Sequence, residues 1–112
     1  MGKNRVRESL AAVIANVIVH KIIARHTNKS ESSHFLEAEI IEYAAQAENL
    51  SEEFNWNNED RDYIESESAK KAIEKLSNKY PDVKYDKKEI SEIFEEIRDD
   101  SPIFSRTSEN KN

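Results

Sequence analysis

Asn16 and His20 are the residues whose types and spacing come nearest to a chemical site in this chain. Four positions apart, they share one face of any helix that contains them. They interrupt the segment Leu10 to Ala24, in which twelve of fifteen residues are apolar. A buried polar pair in such a segment must find hydrogen-bond partners, and the preferred reading is that it fixes helix register or partner number. A second group surrounds the stretch that follows: Arg25, His26, Lys29, Glu31, His34, Glu37 and Glu39. His26, His34 and Glu37 have the chemistry of metal ligands, with His34 and Glu37 one helical turn apart. The same residues also suit helix ends, Arg25 and His26 at a negative C-terminus and Glu31 at a positive N-terminus. The capping role is the expected one, so no metal or other cofactor is assigned.

The six residues Ala15-Asn16-Val17-Ile18-Val19-His20 resemble the Arg-Asn-x-x-x-His ribonuclease motif of HEPN domains. These are four- or five-helix, often dimeric proteins in which Arg and His from two subunits line a cleft and act on RNA. Here Ala15 stands where the arginine should be, and the motif lies earlier in the chain than such domains usually carry it. Without that cation, the charge of a phosphoryl-transfer transition state has no partner. The resemblance therefore implies at most an inactive relative, and no catalysis is carried over.

Other chemistries are excluded by what the chain lacks. Gly2 is the only glycine, whereas phosphate-cradling loops, dinucleotide turns and nucleophile elbows all need glycine for close backbone approach or positive φ. There is no cysteine, so disulfides and thiolate-held zinc or iron–sulfur sites are ruled out. No serine has a recognisable base and orienting acid, and Glu52-Glu53 and Glu95-Glu96 read as solvated faces, since adjacent helical positions diverge. An enzyme is not the expected class. The apolar segment is too short and too interrupted to span a bilayer, lacks a signal-peptide cleavage pattern, and Val6 occupies the position where myristoylation needs Ser or Thr. A cytosolic protein with no membrane role is expected.

The elements that must position these residues are helices. Over 5–26, Val6, Leu10, Val13 and Val17 form one row and Ile14, Ile18 and Ile22 another, nearly encircling the axis and predicting a central, buried first helix. Asn28 is the expected stop, and Ser30, Ser32 or Ser33 the cap of a second helix. Its seam of Leu36, Ile40, Tyr43, Ala47, Leu50 and Phe54 predicts a helix to about residue 54. Asn58 is the expected cap of a third helix that buries Tyr63, Ile64, Ala69, Ala72, Ile73, Leu76 and Tyr80 and ends before Pro81. Asp86 and Glu89 form a capping box, flanked by a Tyr85–Ile90 staple, for a fourth helix with Ile90, Ile93, Phe94 and Ile97 inward. The expectation is an all-α, compact four-helix array, one domain over 1–100, with a polar, frayed tail over 101–112.

Charge is uneven. Residues 1–30 hold six Lys or Arg and one acid, net +5; residues 31–112 hold eleven basic and twenty-two acidic residues, net −11. The preferred reading is attraction between the two parts, within the fold or across a dimer. A nucleic-acid or partner contact would use Lys3, Arg5, Arg7, Arg25, His26 and Lys29. Against it, no aromatic lies among the cations to stack on bases, and residues 35–54 carry no Lys or Arg for a groove-reading helix. The leading expectation is a small, non-enzymatic interaction or regulatory protein acting through a helical surface. The apolar excess of the first helix suggests a homodimer. The alternatives are a nucleic-acid-associated protein using the basic N-terminal segment, a degenerate HEPN-like RNA binder included, and an acidic inhibitor that imitates nucleic acid.

Overall fold

The computed structural model describes residues 2–26 and 30–100, with side chains for all of these except 30–35 and 100. Four helices account for nearly all of it: α1 (Lys3–His26), α2 (Ser30–Ser51), α3 (Asn58–Lys79) and α4 (Lys87–Asp100). No strand occurs among the described residues. The turn expected at Asn28 and the tail over 101–112 lie outside them, and the cap expected from Ser30, Ser32 or Ser33 lies outside the described side chains.

Helix α1 is the axle of the array. It packs extensively against α2 and α3 and meets α4 as well, whereas α2 rests on α1 without a substantial contact to either of the other two. Nine residues of α1 are buried, among them Val6, Leu10, Ile14, Val17, Ile18 and Ile22 with no exposed surface at all. Both predicted rows therefore face protein, with Val13 half-buried at their edge. A narrow, mostly polar flank of Asn4, Arg5, Glu8, Ser9 and Ala12 is exposed in the first half of the helix. The apolar surface that suggested a dimer is thus covered within one chain. Val17 sits in the core, so Val17→Asp would disturb folding before it reported on association.

The second helix ends earlier than its seam implies. After Ser51 the chain turns, and the indole of Trp56 folds back to donate from Nε1 to the Ser51 carbonyl at 2.8 Å. One carbonyl left open by the helix end is satisfied in this way. Trp56 is buried, and Phe54 meets it edge-on with ring centroids 5.9 Å apart. Phe54 therefore reaches the rim of the core from a loop rather than from a helix. The third helix starts at Asn58 itself, and its cap is one residue earlier than expected. Asn57, not Asn58, accepts from the Asp60 amide at 2.8 Å, and Asp60 accepts from the Asn57 amide at 3.3 Å, completing a reciprocal box. Two adjacent asparagines compete for this place, and only Asn57 has an acid three positions on. Tyr80 departs from the expected buried side: it lies beyond the last turn as the C-cap and is 37% exposed.

The fourth helix begins as its sequence implies. Glu89 accepts from the Asp86 amide at 2.9 Å, and Asp86 accepts from the Lys88 amide at 3.0 Å. Ile90, Ile93, Phe94 and Ile97 are buried. Ile18→Ala, which empties a fully enclosed site on α1, is expected to lower unfolding free energy by about 2–5 kcal/mol in urea titrations. Ala12→Ser, on the solvent flank of the same helix, should leave it within about 0.5 kcal/mol.

Candidate functional site

Polar side chains gather at three levels along α1, met by α3 at the first, by α2 and α3 at the second and by α4 at the third. At the N-terminal level, Asp60 of α3 is the hub. Lys3 Nζ lies 2.9 Å from its carboxylate and Arg7 Nη1 lies 3.1 Å away. The Arg7 guanidinium also stacks on the Tyr63 ring at 4.1 Å, and Tyr63 donates its hydroxyl proton to Glu8. Lys3 completes the layer by sitting 5.6 Å over Trp56. Burial pushes the Asp60 carboxyl up, but the Lys3 ammonium, the Asn57 amide and the Arg7 guanidinium together outweigh it and hold the group below its ordinary value.

At the middle level stand Asn16 and His20, half-buried rather than enclosed. The Asn16 side-chain oxygen accepts from Lys75 of α3. The His20 ring has Nδ1 2.7 Å from the Asn16 carbonyl and Nε2 2.5 Å from the Glu39 carboxylate of α2. Tyr43 of α2 flanks it, ring centroids 5.3 Å apart. A neutral imidazole can donate to one of those acceptors and an imidazolium to both. The pair thus reaches from α1 to both large neighbours at one height.

At the C-terminal level the partner is α4. Arg25 Nη2 lies 2.7 Å and Lys21 Nζ 3.4 Å from Glu96, and His26 Nε2 lies 3.2 Å from Glu89. The Asp86 amide draws the Glu89 carboxyl below its ordinary value; partial burial opposes this, and His26 and Arg25 add to it.

These positions decide what becomes of the sequence candidates. Arg5 and Arg7 stand roughly 30 Å from Arg25 and His26, the length of twenty helical residues, so no single phosphate site collects them. Arg7, Arg25 and His26 are engaged with acids of α3 and α4. Arg5 is exposed and has no ion pair among the described residues. Lys29 and the side chain of His34 lie outside them. His26 turns toward Glu89 rather than sharing a ligand set with Glu37, and no cluster of three or more His, Asp or Glu among the described residues is arranged to hold a metal ion. No described helix is long and apolar enough to cross a membrane.

One surface feature escaped the motif reading. Ile41 of α2 is 70% exposed, whereas its neighbour Ile40 turns inward to pack against the core. Ala38 and Ala45, one turn to either side, are also exposed. Together they form an apolar stripe on the face of α2 that points away from α1. The available signal was the Ile40–Ile41 doublet: the seam claims the first, leaving the second about 100° around the helix. No family model, curated protein or solved structure matches the chain.

The electrostatic layers generate two expectations. Asp60→Ala removes the hub and one half of a capping box, and should lower unfolding free energy by roughly 1–3 kcal/mol, between the values for exposed and fully buried pairs. Because Asp60 and Glu89 are held low in the folded state, their stabilisation is present above the unfolded carboxylate values near ~4 and is lost as pH falls through the folded ones. Urea midpoints should therefore drop between pH 6 and pH 2.5 (about the range spanning those values), and drop less in Asp60→Asn.

Proposed function

We propose that this is a small non-enzymatic interaction protein, cytosolic in setting, that engages a partner protein through the outer face of α2. The observation that carries the reading is Ile41, an isoleucine 70% exposed on a helix with one neighbour. Scattered exposed apolar residues are ordinary on protein surfaces. This one continues into Ala38 and Ala45 along the same face, and the other large hydrophobe exposed among the described residues, Tyr80, is a helix cap at 37%. The leading sequence expectation placed the interaction on the first helix. Its apolar rows are occupied internally, so the free apolar face moves to α2.

Of the cations the nucleic-acid reading draws on, Lys3, Arg7, Arg25 and His26 serve as intramolecular partners of Asp60, Glu89 and Glu96, while Arg5 stays exposed. Its distinctive signal would be salt-sensitive binding of RNA or DNA lost on neutralising Arg5, Arg7 and Arg25.

The test compares the wild-type chain with Ile41→Arg. The substitution falls on an exposed position, so the melting temperature should move by less than about 3 °C. In affinity isolation from the native host with nuclease present, a partner protein should accompany the wild type and be missing from the variant. A partner retained equally by both, or one released by nuclease, would reject the α2 face as the point of contact.

A further inference from the structure

We infer that the partner seated on α2 is a cationic amphipathic helix; this rests on the α2 reading and adds the chemistry of the occupant. Ala38, Ile41 and Ala45 fall at intervals of three and four, the a–d–a positions of a heptad. In that register Glu37 takes the preceding g position and Glu42 the e position, both exposed beside the stripe. Those are the sites at which a partner helix is chosen by charge. Two alanines around one isoleucine leave room for close approach by a large side chain from the other helix.

The setting is acidic throughout. From residue 30 to residue 60 the chain holds nine Asp or Glu and no Lys or Arg. Glu39 is met by His20 on the inner side, whereas Glu42 has no ion pair among the described residues. A helix bearing Lys or Arg beside a leucine-type seam would cover the stripe and place cations against Glu37 and Glu42. A second copy of α2 would instead bring an acidic helix against an acidic helix, which like-charge repulsion disfavours. The chain's own exposed lysines among the described residues are Lys70 and Lys79 on α3, Lys84 in the loop that follows, and Lys87 and Lys88 at the start of α4. They border no row of exposed large hydrophobes, since Ile41 and Tyr80 are the ones exposed among the described residues, so another copy offers no leucine-type seam to α2.

The experiment titrates two synthetic helices into the isotopically labelled full chain. They are about five turns long, share one leucine seam, and carry either lysine or glutamate at the flanking positions. The lysine peptide should shift amide resonances centred on residues 38–45, weaken as salt is added, and lose about tenfold or more in affinity to Ile41→Arg. The double variant Glu37→Lys, Glu42→Lys should exchange its preference for the glutamate peptide, while Glu92→Lys, exposed on α4, should not. If both peptides bind the 38–45 face of the wild type equally, the cationic partner is wrong and the α2 face stands. Should the lysine peptide bind elsewhere, or be indifferent to Ile41→Arg, the α2 face falls with it. Binding of neither peptide overturns the cationic helix, and the affinity-isolation result then judges the α2 face alone. A sedimenting dimer that Ile41→Arg dissociates would assign the stripe to a second copy and overturn the proposal.

Discussion

Burial of α1 is the constraint from which the rest of the architecture follows. A 24-residue helix with nine fully or nearly fully buried residues cannot be covered by one neighbour, because a single packed helix shields only one stripe of its circumference. Two long helices and a shorter one are recruited. α2 and α3 each cover one side along the length, and α4 closes near the C-terminal end with four apolar residues. The part of α1 left over is its polar flank, where no covering is required.

The electrostatic asymmetry of the chain becomes intelligible within this frame. The cations of the N-terminal segment are carried by the central helix and the acids by the helices around it, so folding brings opposite charges together at both ends of the axle. Most of these contacts are partly exposed pairs, and each contributes little to stability. Their effect lies more in alignment: Asp60 ties α3 to the first turn of α1, Glu96 and Glu89 tie α4 to the last, and Asn16 and His20 reach α3 and α2 between them. Mispairing a helix by one turn would leave Arg7 or Asp60 desolvated without its counterpart. Lys3, Arg7, Arg25 and His26, which the sequence offers as contact residues, are each paired with an acid of a surrounding helix.

Where local signals decide structure, the sequence was legible. Asp86 and Glu89 start α4 through bonds to amides two and three residues away, and the paired rows of α1 specify a buried helix from spacing alone. Legibility failed where the deciding contact was tertiary. The seam of α2 continues to Phe54 in spacing, yet the helix stops at Ser51, where the Trp56 indole takes the carbonyl. Asn57 and Asn58 are both capping residue types, and the signal that separates them, an acid three positions on for Asn57 alone, lies in the sequence itself. Lys75, fifty-nine residues from Asn16, and Asp60, fifty-three from Arg7, could not be matched with their partners by any local rule. The polar pair was recognised from spacing, while its partners were not.

The exposed side of α2 stands apart from this logic of mutual satisfaction. Covering Ile41 alone would return about 1.5–3 kcal/mol, too little to support a specific complex against the entropy of association. A functional interface must therefore extend along the helix and draw on its flanks. Those flanks are carboxylates, which contribute to affinity only when met by cations and oppose it when met by their own kind. An apolar stripe between two carboxylates, Glu37 and Glu42, is consequently more selective than either feature alone. The apolar part rewards any helix that fits, and the acidic part penalises every such helix that lacks positive charge, including another copy of α2.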